Sequence, residues 1–358
     1  MESKEEGLDY LSAWGLGGLI ATQMVIRAAI ELNVFNIISD SGPEAQLSSA
    51  EVVSKIPTTN PNAATALDRM LRMLSAKSLL LTSTRPCPTG VERTYGLSME
   101  ARTLVTNADG VSFAPTTLLT SERALVESLY MLKNVVLEPE CSPIFQKSQG
   151  MNFFEYAAKD QRVSRVFNES MACHSKMTLD KVFRVYTGFE EVKELMDVGG
   201  GNGTSVGRIV SIYPHIHGIN FDLPHVIADA LKFPGVEHVA GDMFELLPNA
   251  QTILLKSVLH DWDDNQCITI FRNCWKALPA NGKVIVIESA IPEESDNDAE
   301  FQNVIVMDVF MMVVSGGKER STAEFDDLAK AAGFAETKIF HIGQGNHVME
   351  FIKRINIE

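Results

Sequence analysis

The sequence predicts an α/β protein: a Rossmann-like, seven-stranded, mostly parallel sheet preceded by a mainly helical, winged-helix-like domain. Three observations lead there. From Glu194 onward, short apolar runs alternate with helical periodicity, the pattern of a parallel sheet covered on both faces. The first run ends in a glycine turn, Asp197–Gly203 (Asp-Val-Gly-Gly-Gly-Asn-Gly). Before it come three helical segments and a hairpin, then further helices. The expected divisions are 1–110 (winged-helix-like), 111–190 (helical) and 191–358 (the sheet domain).

Leu19–Phe35 carries too many apolar positions for a thin stripe, so a second layer or a second subunit is expected to bury it. Ser48-Ser49-Ala50-Glu51 fits a capping box that opens a short helix ending near Pro57. Asn62–Ala76 places Leu67, Met70, Leu71 and Leu74 at helical spacing. Ser78–Thr82 and Thr94–Leu97 read as strands joined by a Pro/Gly-rich turn. Residues 111–190 read as long helices with Leu129, Tyr130, Phe153, Phe154, Tyr156, Phe167 and Met171 facing inward. Strands are expected at Glu194–Val198, Gly218–Asp222, Val236–Ala240, Thr252–Ser257, Lys283–Glu288, Glu336–Phe340 and His347–Ile352. The intervening helix Asp263–Leu278 sets Ile268, Phe271, Trp275 and Leu278 on one face.

Bulk properties exclude several classes. With 45% hydrophobic residues, 358 residues can bury a large core, and the net charge of −15 opposes nucleic-acid or anionic-membrane partners. The third helix has Arg69, Arg72 and Lys77 but no basic wing beside it, so packing and dimerisation suit this domain better than DNA binding. Five scattered cysteines form no C-x-x-C pair; Cys267 and Cys274 share a helix face and read as core thiols. His215-x-His217 reads as solvated, so no metal site is expected. The acidic N-terminus lacks a secretory signal pattern, and no apolar stretch is long enough to span a bilayer; a cytoplasmic protein is expected.

The ends of the apolar runs gather the candidate site. Gly199, Gly201 and Gly203 let backbone approach a ligand and aim a helix N-terminus at it. Asp222 ends the second run, where an acidic side chain takes ribose hydroxyls. Asp242-Met243-Phe244 offers a carboxylate for an adenine amino group and apolar contact for its ring, and Lys256 and Trp262 flank the fourth run's end. There is no Gly-Lys-Ser/Thr phosphate loop. Acidic groups without a phosphate cradle fit S-adenosylmethionine better than NAD or ATP. His260, in Leu254–Trp262, is the candidate base: neutral imidazole takes a proton near pH 7. Glu288, a charge closing four apolar residues, is a candidate to orient it. Glu319 reads equally as a turn charge, and Asp308 is a polar residue in an apolar helix that needs a partner.

Val198–Gly203, Asn220–Val226, Gly235–Phe244, His260–Asp264 and Gly316–Arg320 (Gly-Gly-Lys-Glu-Arg) together resemble the plant caffeic-acid-type O-methyltransferases. Arg27–Phe35 and Gly42–Ile56 look most like the scoulerine 9-O-methyltransferase and columbamine O-methyltransferase branch, which methylates benzylisoquinoline and protoberberine alkaloids. The resemblance implies a homodimer formed through the N-terminal domain and a metal-free reaction yielding S-adenosylhomocysteine. It implies that Gly199, Asp222, Asp242, Met243 and Lys256 hold the cofactor. It assigns His260 as general base beside Glu288 and Glu319, with Asp261 near the reacting hydroxyl. Met171 and Met311 would line the acceptor slot, to which 111–190 contributes. Phenylpropanoids and flavonoids are the alternative acceptors. The chain departs from the family pattern at three places, the first bearing on the cofactor's edge and the other two arguing against a plain caffeic acid substrate. Ser257 stands where the family has Trp, Val314-Ser315 where it has Asn-Pro, and Thr120-Ser121-Glu122 where lignin-type members carry Met-Asn.

Overall fold

The computed structural model describes residues 14–88, 90–293 and 298–354. The chain divides into two compact units, Met1–Glu122 and Arg123–Glu358, a division that falls inside the helical stretch 111–190.

In the first unit, the expected helix Leu19–Phe35 is two helices, Leu19–Glu31 and Val34–Ser39, hinged at Asn33. Asn33 has φ 58°, a left-handed conformation that asparagine tolerates well and that stops a helix. Ser48 caps Ser49–Val53 in the expected capping box with Glu51. Ala63–Ala76 follows, burying Leu67, Leu71 and Leu74. The strands β1 (Leu47–Ser48), β2 (Leu80–Cys87) and β3 (Gly90–Leu97) form a sheet in the order β1-β3-β2. The hairpin runs beyond its apolar ends because polar pairs extend it: Arg85 faces Glu92 across the strands at 2.7 Å. Arg72, one of the cations weighed for DNA contact, is paired with Asp68 at 3.1 Å. The segment Thr120–Glu122 is tied down by Arg27, which donates to the Leu118 and Ser121 carbonyls.

The second unit begins with four short helices between Arg123 and Lys159, then one of 25 residues, Gln161–Val185. The expected long helices are broken where Gly150 turns left-handed and where Asn152 and Asp160 cap new starts. Phe153 is buried as expected, whereas Tyr130 (76%), Phe154 (45%) and Met171 (37%) are exposed on this chain.

The sheet strands are β4 (Glu194–Val198), β5 (His217–Asp222), β6 (Val236–Ala240), β7 (Thr252–Lys256), β8 (Lys283–Ser289), β9 (Glu336–Gly343) and β10 (Asn346–Ile352). Their order is β6-β5-β4-β7-β8-β10-β9, with β10 antiparallel to both neighbours and the first five parallel. Successive residues feed opposite cores. Ile253, Leu255, Val284 and Val286 pack on one face; Leu254, Ile285 and Ile287 pack on the other. Both faces are dry, which is why these strands read as unbroken apolar runs. The helix Asp264–Ala277 is opened by an Asp263–Gln266 capping box and buries Cys267 and Cys274. Burial pushes the Cys267 thiol up to about 12 and Cys274 higher still, so both stay protonated.

Candidate active site

The parallel strands place their carboxyl ends along one edge. After β4 the chain winds outward through β5 and β6, then returns to set β7 on the other side of β4. That reversal makes the β4/β7 crevice the natural ligand site. The glycine turn leaves β4 there. Gly199 (φ 70°) packs so closely on Val258 that a Cβ would stand 2.9 Å from its Cγ2. Gly201 (φ 59°) faces open space, with nothing within 4 Å of an added Cβ. Its N–H donates to Asp222 Oδ2 at 2.8 Å, while Leu223 N–H donates to Oδ1 at 2.7 Å. Asp222 is thus locked at the mouth of the turn, with lone pairs left for hydroxyl donors.

Asp242 accepts from Phe244 N–H at 2.8 Å, and Asn273 holds the Met243 carbonyl at 2.9 Å. Phe244 meets Trp262 edge to face at 4.7 Å, which joins this turn to the one bearing His260. Burial depresses the Lys256 ammonium, an effect that Asp197 and Glu288 oppose. Asp197 itself is pushed up to about 7 by burial, with Lys256 opposing and Asp222 adding to the shift. Its Oδ2 is buried without a hydrogen-bond partner among the described residues. An open glycine turn, a locked carboxylate and an orphaned buried oxygen fit a ligand rich in hydroxyl and amine donors, as an adenosine carrying a cationic centre is.

His260 sits on the turn Leu259–Asp261, directly after β7. Its Nδ1 is 3.0 Å from Glu319 Oε1 and 3.7 Å from Glu288 Oε2, and both carboxylates are essentially fully buried. Glu288 Oε1 accepts from Val258 and Leu259 N–H, each at 2.8 Å, so it grips the turn and faces the ring at once. Burial alone would lower the His260 pKa. The Glu288 charge and the Glu319 hydrogen bond, with Asp261 nearby, outweigh it and push it up to about 10. Glu288 is raised by burial, partly relieved by His260. Asp261 is also raised by burial, and it hydrogen-bonds Ser315. Two carboxylates on Nδ1 leave Nε2 as the nitrogen able to work on a ligand.

Met311 lies near the end of the helix Ala299–Val314, and its carbonyl anchors Ser315 and Gly316, which lead to Glu319. Met171 is 37% exposed on the helix Gln161–Val185. Ser257 adopts φ 53°, and its hydroxyl lies 3.4 Å from Lys256 Nζ. Asp308 finds its partner: Glu319 N–H, at 2.9 Å.

Sequence reasoning missed three residues. Asp197 carries the signal used for Glu288, a charge inside an apolar run. Arg320 is fully buried beside the His260 turn, although it was noticed only as part of a motif. His174, on Gln161–Val185, feels both Lys256 and His260; burial first, then those charges, lowers it to about 3, so it stays neutral. Nothing in its local sequence foretells this. A cavity of about 290 Å³ lined by Ala290, Asp298, His341 and His347 contains none of the expected site residues. Among the described residues no three His, Cys, Asp or Glu side chains gather as a metal cage.

Comparisons with known proteins bear on this site. Residues 129–335 match the O-methyltransferase domain family, and residues 14–107 match the O-methyltransferase dimerisation domain. The (S)-scoulerine 9-O-methyltransferase of Coptis japonica is 58% identical, covering 98% of this chain and 91% of that protein. The caffeic acid 3-O-methyltransferase of Medicago sativa is 46% identical, over 96% and 94% respectively. Human N-acetylserotonin methyltransferase, solved with S-adenosylmethionine, superposes with TM-score 0.82 over 97% of this chain and 98% of that one; at 20% identity this shows the shared fold.

Proposed function

The chain belongs to the plant O-methyltransferase family and is an S-adenosylmethionine-dependent O-methyltransferase; from that premise we propose that it methylates a phenolic hydroxyl of a scoulerine-like benzylisoquinoline or protoberberine alkaloid. The 58% identity to a scoulerine 9-O-methyltransferase, against 46% to a caffeic acid enzyme, supports the acceptor class. The observation that carries the mechanism is His260 set against two buried carboxylates on the turn that follows β7.

The cofactor, when bound, supplies an electrophilic methyl on a sulfonium sulfur. Asp222 would hold its ribose hydroxyls, Asp242 and Met243 its adenine, and Gly199 and Lys256 the rest of the pocket. The chain's own task is to remove a proton and align oxygen with carbon. A free phenol ionises near pH 10, so at neutral pH about one molecule in a thousand is phenolate. His260, pushed up to about 10, takes the phenol's proton in its neutral form, whose share grows as pH climbs toward 10. Glu319 and Glu288 stabilise the imidazolium that forms. With the base supplied by the chain, the reaction runs without a metal ion.

The test is a mass-spectrometric assay with S-adenosylmethionine and EDTA over scoulerine, columbamine, tetrahydrocolumbamine, caffeic acid and a catechol flavonoid. Singly methylated alkaloids with no loss to EDTA are expected. Preference for caffeic acid or the flavonoid overturns the acceptor assignment, and loss of activity in EDTA overturns the metal-free mechanism.

A further inference from the structure

The turn that carries His260 has little of its own to hold it. Leu259–Asp261 is a single 3-10 turn whose N-cap, Val258, offers no capping side chain; Glu288 takes the N–H groups at its start, and the carbonyls around it still need partners. The segment Gly316–Arg320 supplies them. Gly317 lies so close that a Cβ would stand 2.0 Å from the His260 carbonyl oxygen, and Lys318 N–H donates to that same oxygen at 3.0 Å. Glu319, held by Asp308, meets the imidazole. Arg320 then reaches under the turn. Its side chain is fully buried; Nη1 donates to the Leu259 carbonyl at 2.9 Å and Nη2 to the Trp262 carbonyl at 2.7 Å. Nε and Nη2 both donate to Asp264 Oδ1, at 3.0 and 2.8 Å.

We propose that Arg320 is a positioning residue for methyl transfer: its guanidinium, locked by Asp264, clamps the carbonyls on either side of His260–Asp261 and so fixes the imidazole against Glu319 and Glu288. The clamp rests on the reading of His260 as the base. A rigid planar fork is what the task needs. Two carbonyls and a carboxylate must be met at once in fixed directions, which a flexible ammonium with a single nitrogen cannot do. Charge-assisted bonds to buried carbonyls are also among the stronger ones available. The consequence is catalytic because the carbonyls it holds bracket the base itself, and misplacement of a reacting group by about 1 Å can cost about a hundredfold in rate.

The experiment compares Arg320→Lys, Asp264→Asn and His260→Ala as full chains with wild type, measuring S-adenosylmethionine affinity by calorimetry and kcat across pH. Arg320→Lys is expected to lose about tenfold to hundredfold in kcat, with cofactor affinity changed less than about twofold. The rise of its kcat with pH should move to lower pH, because an imidazole that drifts from its carboxylates is less basic. Asp264 is half exposed, so Asp264→Asn folds readily; it is expected to shift the profile in the same direction with a smaller loss. If Arg320→Lys does not fold, Asp264→Asn decides the matter. A folded variant with the wild-type pH profile overturns the clamp, whether kcat is unchanged or merely scaled down by lost stability. Turnover that survives His260→Ala instead overturns the base assignment on which the clamp rests.

Discussion

His260 is the residue on which sequence and structure meet most directly. Its position after an apolar run marked it as a proton acceptor, and folding surrounds it with two buried carboxylates. The resulting pH dependence has a definite sign. A base must be neutral to accept a proton, and Glu288 and Glu319 hold His260 charged up to about 10 against the opposing effect of burial. kcat/KM should therefore climb from pH 7 toward pH 10, log-linear with a slope near one. Glu319→Gln removes a negative charge from Nδ1 and lowers the imidazole's affinity for its proton. The climb should then begin at lower pH, and a variant profile that superimposes on wild type would refute the pairing. Glu288 was legible because a charge closing an apolar strand is costly without a task. Asp197 sends the same signal, but its place beside the glycine turn drew attention to the glycines instead. His174 sends none, since its neighbours come from β7 and the turn after it.

At the level of elements, all seven strands of the large sheet were legible, with boundaries displaced by no more than a few residues. Buried strands must be apolar on both faces, and that pattern survives any detail of packing. Helices were less legible. Leu19–Phe35 keeps helical periodicity through Asn33, where one left-handed residue ends it. In the stretch from 111 to 190 the capping residues, not the apolar spacing, set the breaks. The segment Gly316–Arg320 is the element whose role depends most on close approach. Gly317→Ala would drive a methyl into the His260 carbonyl, which lies 2.0 Å from the Cβ position, and nothing flexible lies there to yield. The expected outcome is a loss in kcat of at least about tenfold, with cofactor affinity by calorimetry near wild type. A fully active Gly317→Ala would show that the segment does not hold the turn so tightly.

At the scale of the molecule, unequal covering of apolar surface matters most. Leu19 and Ile20, on the first long helix, are 57% and 49% exposed, although that helix was expected to be buried by a second layer or a second subunit. Residues 14–107 match a dimerisation domain, and the second subunit is the reading this favours. Large apolar side chains gain about 1.5–3 kcal/mol each on full burial. Sedimentation velocity at micromolar concentration should give twice the chain mass for wild type, shifting toward the monomer in a Leu19→Asp, Ile20→Asp double variant. A monomeric wild type would refute this. The sequence alone determined the α/β architecture, the strands and the residues that end them, because apolar periodicity and a charge in an apolar run are local consequences of burial. Only the tertiary structure decided how Glu319, Asp308 and Arg320 come round from a distant segment to hold His260. Those contacts join residues far apart in the chain, and it is the parallel bridge of Arg320 to Ala290 just after β8 and the close approach at Gly317 that bring them within hydrogen-bonding distance.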